Sequence, residues 1–213
     1  MSISMRDRIK TGKLFTDMCE GLPEERLRGK ELMYEFNHTR PSEVEKREKL
    51  MSEMFGAVGE HAWIEPPIYF SYGSNIHIGK NFYANFNLTI VDDYTVTIGD
   101  NVLIAPNVTI SVTGHPVHHE LRQSGEMFSF PVTIGNNVWI GSNVVINPGI
   151  TIGDNSVIGA GSVVTKDIPP DVVAVGVPCR VLREINGRDK LYYYKDNKTE
   201  GTADAERSPV DDK

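Results

Sequence analysis

In the second half of the chain an aliphatic residue returns every six positions. From residue 134 the rows IGNNVW, IGSNVV, INPGIT, IGDNSV, IGAGSV and VTKDIP hold Ile134, Ile140, Ile146, Ile152, Ile158 and Val164 in one frame. The next position carries Gly135, Gly141, Asn147, Gly153, Gly159 and Thr165, and the fifth carries Val138, Val144, Ile150, Ser156, Ser162 and Ile168. A period of six matches neither a helix of 3.6 residues per turn nor an unbroken strand alternation. It fits short strands separated by tight corners. The aliphatic residue points inward, the small residue fits the corner, and Asn, Asp and Gly accept left-handed backbone there. The frame continues backward through Ile110, Ile104 and Ile98. An earlier block, Ile78, Ala84 and Ile90, is offset by two residues, which the pattern places at Val96–Thr97. The prediction is a mainly β chain wound as a β-solenoid.

The pattern breaks in two places. Between Ile110 and Ile134 lies a 23-residue excursion, SVTGHPVHHELRQSGEMFSFPVT. A loop of this length in a compact protein is commonly functional. Before the repeats, PSEVEKREKLMSEMFGAVG predicts a helix from Ser42, with Ser42 and Glu45 as a capping box and Leu50, Met51, Met54 and Phe55 as its apolar stripe. MRDRIKTGKLFTDMCEG predicts a second helix. The expected organisation is an α-helical cap over 1–58, a solenoid over 59–183 with the excursion at 111–133, and an extension over 184–213 whose polar end, from about Asn197, predicts disorder.

Composition narrows the function. The 213 residues carry a formal charge of -7, which argues against nucleic acid as a partner. An anionic small molecule would need a local basic group against this background. No apolar run is long enough to span a bilayer, and Cys19 and Cys179 stand in unrelated contexts, so a reducing, cytoplasmic setting is expected. Cys179 has no base near it in sequence and reads as a small buried residue.

Chemistry concentrates in GHPVHHE, where His115, His118 and His119 fall within five positions. His118 and His119 are neighbours whose side chains point apart, and they read as solvated. His115, flanked by Gly114 and Pro116, suits a general base. An imidazole can take a proton from an attacking hydroxyl and return it to a leaving group.

The six-residue repeat resembles the hexapeptide family that builds left-handed parallel β-helices, three hexads to a triangular coil. TGHP resembles the segment that carries the catalytic histidine in its sugar acetyltransferases. From about Arg6 to Lys195 the chain is similar to the bacterial galactoside and maltose O-acetyltransferases. The similarity is carried by GKLFTDMCEGLPEERLRGKELMYEFNHTRPSEVEKRE, EPPIYFSYGSNIHIGKNFYANFNLTIVDDYTVTIGDNVLIAPNVT, TGHPVHHELR and GVPCRV. The resemblance implies transfer of an acetyl group from acetyl-CoA to a galactoside hydroxyl, without metal, in a homotrimer. It implies that His115 is the base and that Asn85 holds the oxyanion and meets acetyl-CoA. It implies that Asp17, Ser71, Tyr83, Asp93 and Met127 form the acceptor site, and that Ser142, Ala160, Thr165, Lys166, Arg180 and Arg183 bind the coenzyme. Short carboxylates and hydroxyls suit a sugar, and the small run Gly159–Ala160–Gly161 would let a pantetheine arm lie close. Trp139, last in its hexad, is expected at a subunit face or beside the coenzyme. Two other readings remain open: a maltose or glucose acceptor, and a zinc enzyme of the gamma carbonic anhydrase kind.

Overall fold

The structure, a computed structural model, describes residues 3–199. Each hexad frame residue points inward: Ile134, Ile140, Ile146, Ile152, Ile158 and Val164 are all buried. Burying a side chain of this size contributes roughly 1.5–3 kcal/mol, so the column is the main stabilising element of the solenoid. The strands stack in parallel on three faces. The first face holds Ala57–Val58, Ile76–Ile78, Val96–Ile98, Val132–Ile134 and Thr151–Ile152. The second holds Trp63–Ile64, Tyr83–Ala84, Leu103–Ile104, Trp139–Ile140, Val157–Ile158 and Val172–Val175, then Arg180–Glu184 added antiparallel. The third holds Ile68–Phe70, Leu88–Val91, Thr109–Ser111, Val145–Ile146 and Val163–Val164.

The first–second edge shows how corners are held. Asn81, Asn101, Asn137, Asn155 and Asp171 stack there, all with φ between 53° and 61°. Each amide Nδ2 donates to the Oδ1 of the residue one coil on, at 2.9 Å, 3.0 Å, 2.8 Å and 2.8 Å, ending on Asp171. Asparagine is the side chain that both tolerates this backbone and offers a donor and an acceptor.

Coil length varies along this ladder. Asn81 and Asn101 are 20 residues apart, Asn137 and Asn155 are 18 apart, and Asn101 and Asn137 are 36 apart because the excursion intervenes. The excursion therefore leaves the register untouched: Ile98 still pairs with Ile134, and Ile110 with Ile146. The two surplus residues of the longer coils are not at Val96–Thr97. Val96 and Thr97 pair in register with Val132 and Thr133, so the surplus lies in the corner before the strand, which holds Asp92 and Asp93.

Helices α1 (Met5–Lys10), α2 (Leu22–Asn37) and α3 (Val44–Met54) form the cap. Leu50, Met51, Met54 and Phe55 are buried as expected and join Phe36 in a cluster continuous with the solenoid core. The cap thus closes the open end of the prism. Asn37 clips α2 to the third face, accepting from Ile68 N–H at 2.9 Å and donating to its carbonyl at 2.8 Å. Gly29 lets α2 approach the corner, since a Cβ there would lie 2.2 Å from the Tyr72 carbonyl oxygen.

Three local expectations change. The Ser42–Glu45 box does not form; Glu43 is the N-cap and its carboxylate accepts from Arg40 N–H at 2.6 Å. The helix expected over MRDRIKTGKLFTDMCEG stops at Lys10, because Gly12 takes a left-handed φ of +67° and the chain continues extended. Near the other end, α5 (Arg188–Leu191) is followed by a hairpin in which Tyr192–Tyr194 pairs with Asn197–Lys198, so order extends past Asn197. The rest of the expected disorder, 200–213, lies outside the described residues.

Asn137→Ala removes two ladder bonds and places a β-carbon residue without a compensating amide at φ 56°. Urea denaturation should show a loss of about 2–3 kcal/mol, with Asn137→Gly about 1 kcal/mol less damaging because glycine accepts the backbone freely.

Candidate active site

Every departure from the hexad pattern stacks on the third–first edge: the corner 71–75, the corner 92–95 and the excursion. Asp92 braces it from inside. Its Oδ1 accepts from the N–H groups of Ser71 and Tyr72 at 2.8 Å and 2.9 Å, and its Oδ2 from Gly73 N–H at 2.7 Å. Burial lifts the Asp92 carboxyl to about 7, although those three donors pull it the other way. The bonds set the backbone of Ser71. Asp93, next along, is 6% exposed, and its Oδ2 accepts from the Thr113 hydroxyl at 2.6 Å. Burial, with Asp93 adding to it, pushes the adjacent Tyr72 phenol up to about 12, against Arg26 and Arg6.

The excursion leaves this edge through a two-stranded stem in which Thr113 pairs with Ser129 and Gly114 with Phe128. Gly114 lets the Phe128 ring pack against the stem, since a Cβ would lie 2.6 Å from the ring tip. His115 follows at once and is exposed. Its Nδ1 lies 3.0 Å from the Glu126 carbonyl oxygen. A carbonyl only accepts, so Nδ1 carries a proton, and in the neutral imidazole Nε2 is the nitrogen that keeps the lone pair. The loop continues through α4 (His119–Gln123), where His118 and His119 are exposed as expected but do not point apart: their rings stack with centroids 4.9 Å from each other. Among the described residues no three His, Cys, Asp or Glu side chains converge as a metal site.

The extended arm after Gly12 closes the site from the cap side. Phe15 and Met127 exchange both backbone hydrogen bonds at 2.9 Å, which lays the arm along the loop beside Met127. Two residues on, Asp17 forms an ion pair with Arg26 of α2, and both side chains are largely buried. Asp17, Ser71, Asp93, His115 and Met127 therefore share one edge. Sequence reasoning did not reach Arg26, Asp92 or Thr113. The doubled aspartate and the surplus residues around it were the available signal for Asp92; Arg26 and Thr113 left none.

The remaining expected residues lie elsewhere on the same chain. Tyr83 is on the outer side of the second face, in register with Leu103 and, beyond it, the half-exposed Trp139. Asn85, Ser142 and Ala160 follow strands of that face and line the second–third edge. The Asn85 Oδ1 accepts from Phe86 N–H at 2.8 Å, which leaves its Nδ2 free to donate. Thr165 and Lys166 are exposed at the lower end of the third–first edge. Arg180 and Arg183 lie on the antiparallel strand that closes the second face. Arg183 is forked onto Asp189 at 2.7 Å and 2.8 Å, a bond that holds the Asp189 carboxyl down to about 2. A hollow of about 460 Å³ opens beside it, lined by Arg188 and Tyr192–Tyr194. Cys179 is buried, and burial pushes its thiol up.

A parallel β-helix with a histidine-bearing excursion defines a class, and the comparisons agree with it. The bacterial transferase hexapeptide pattern (six repeats) matches residues 131–166, and the maltose acetyltransferase hexapeptide capping motif matches 8–59. The chain is 81% identical over 202 residues to the galactoside O-acetyltransferase of Escherichia coli, covering 95% of this chain and 100% of that one. It is 43% identical over 187 residues to the galactoside O-acetyltransferase of Lactococcus lactis, covering 87% and 90%. A solved galactoside acetyltransferase in complex with coenzyme A superposes with a TM-score of 0.92 at 82% identity, over 93% of this chain and 100% of that one. A maltose O-acetyltransferase from Clostridium difficile superposes at 0.85 with 49% identity, over 86% and 98%. The chain belongs to the hexapeptide-repeat acetyltransferases, with the left-handed parallel β-helix of that family.

Asp92→Ala would leave the buried N–H groups of Tyr72 and Gly73 and the part-buried one of Ser71 without an acceptor, at about 1–3 kcal/mol for each buried group. Thermal unfolding should show a loss of at least about 3 kcal/mol, whereas Asp167→Ala on an exposed corner should cost under about 1 kcal/mol.

Proposed function

We propose that the protein transfers the acetyl group of acetyl-CoA to the primary 6-hydroxyl of a galactoside, directly and with His115 as general base. The observation that carries the reading is the pinned imidazole: Glu126 holds the Nδ1 proton, so Nε2 faces out as a base. Nε2 takes the hydroxyl proton as the sugar oxygen attacks the thioester carbonyl. Asn85 is fixed in the complementary sense, with Oδ1 held by the backbone and Nδ2 free to donate to the oxyanion. Collapse expels the coenzyme thiolate, which His115 reprotonates. Asp17, Ser71 and Asp93 receive the other sugar hydroxyls, with Tyr83 and Met127 against the ring. Ser142, Ala160, Thr165, Lys166, Arg180 and Arg183 hold the coenzyme, its phosphates on the basic side chains. The relatives named for galactosides support the acceptor class, and the maltose acetyltransferase relative keeps maltose in the test.

Within one chain His115 and Asn85 stand on different edges of the prism. The reading is therefore a homotrimer whose sites lie between neighbours, the His115 edge of one subunit facing the Asn85 edge of the next. The cytoplasm, where acetyl-CoA is made and thiols stay reduced, is the setting that suits it. No helix among the described residues is long and apolar enough to cross a membrane.

Thiol release from acetyl-CoA, followed with a β-galactoside, a β-thiogalactoside, the matching glucoside, maltose and no sugar, tests the acceptor. Release should require the galactoside; preference for maltose would reassign it. His115→Ala should lower kcat roughly 10²–10⁴-fold, and near-wild-type activity would remove the role. Lys166→Ala and Arg180→Ala should raise KM for acetyl-CoA and leave the acceptor KM nearly unchanged. Refolding His115→Ala together with Asn85→Ala should restore part of the activity that each lacks alone; no recovery would place both residues of a site in one chain.

A further inference from the structure

We propose that Thr113 is a positioning residue for acceptor recognition, its hydroxyl fixing Asp93 relative to the loop that carries His115. The inference rests on the O-acetyltransferase reading above. Thr113 Oγ1 lies 2.6 Å from Asp93 Oδ2 and 2.9 Å from Ser129 Oγ. An ionised carboxylate only accepts, and a threonine hydroxyl has one proton, so that proton goes to Asp93. Ser129 must then donate to Thr113. The order Ser129 to Thr113 to Asp93 is forced by proton count, and Ser129 is fully buried.

This leaves the Asp93 carboxylate with one committed oxygen and one open. Oδ2 is taken by Thr113, and Oδ1 has no partner among the described residues. No buried side-chain nitrogen or oxygen among those residues lacks a partner, so Oδ1 is not sealed and keeps some access to solvent. A carboxylate so fixed presents one acceptor in one direction, the geometry that selects a single sugar hydroxyl. The same threonine sits in the excursion stem, paired with Ser129 and two residues before His115. One hydroxyl therefore relates the carboxylate that holds the sugar to the base that deprotonates it. The bond lies outside the coil ladder, in which Ile110 pairs with Ile146.

The test compares Thr113→Val, which keeps the shape and removes the hydroxyl, with Thr113→Ser, which keeps the hydroxyl. For a β-galactoside, Thr113→Val should lower kcat/KM about ten- to a hundred-fold, with KM for acetyl-CoA unmoved. Thr113→Ser should stay within about threefold of wild type. Among the 2-, 3- and 4-deoxy galactosides, wild type and Thr113→Val should converge on the one that lacks the hydroxyl received by Asp93. Equal kcat/KM for wild type and Thr113→Val, or the same loss with every deoxy sugar, overturns the proposal. If melting curves show that Thr113→Val does not fold, Thr113→Cys, close to serine in size but a weak donor, takes its place, and full activity there overturns it equally. A wild type that releases no thiol with any sugar sinks the acetyltransferase reading and this one with it; an active wild type matched by Thr113→Val sinks this one alone.

Discussion

Everything in this molecule depends on keeping each corner above the one below. The N–H groups of one coil bond to the carbonyls of the next, as in Asn85 N–H to Ile104 O and Gly141 N–H to Ile158 O, both at 2.8 Å. A corner that drifted would strand these groups, and buried backbone groups without partners are costly. Two edges meet the demand with small or left-handed residues, among them the asparagine ladder. The third–first edge carries no such ladder among the described residues. It is where surplus residues collect, in two lengthened corners and one long excursion. It is the edge at which length can change without moving the inward column, and His115 stands on the longest of these changes.

Having gained that freedom, the edge is made rigid again by polar bonds. Asp92 collects three backbone donors, Asp93 is held by Thr113, Asp17 by Arg26, and His115 by Glu126. In each case one polar atom is committed inside the protein. For His115, Asn85 and Asp93 another atom stays open. Groups held in this way need little reorganisation when substrate arrives. The cap contributes more than closure of the core. Its arm runs from α1 to the loop at Met127, and α2 supplies the partner of Asp17, so the N-terminal cap also builds part of the third–first edge.

The solenoid, its inward column and the excursion were legible because a six-residue period repeats one physical requirement many times. Leu50 to Phe55 were legible for the same reason on a helical period. Helix α2 was not: its buried positions, Leu22, Gly29 and Phe36, come only once in seven residues, and one of them has no side chain. The arm after Gly12 reads as helix locally and is overruled by its pairing with Met127. His115 stood out through its flanking residues. Its partner did not, since Glu126 contributes only a carbonyl, and neither did the Thr113–Asp93 bond, which spans 20 positions. The separation of Asn85 from His115 was equally hidden, because it follows from which edge each corner occupies.

The asparagine ladder has a direction. Every amide from Asn81 to Asn155 donates toward the C-terminal coils, and the series ends on Asp171, which only accepts. A further coil stacked in the same sense would bring its own acceptor against a carboxylate, oxygen against oxygen. The ladder can therefore be lengthened within the stack but not continued past its last rung. A single aspartate works as punctuation, ending the ladder along that edge.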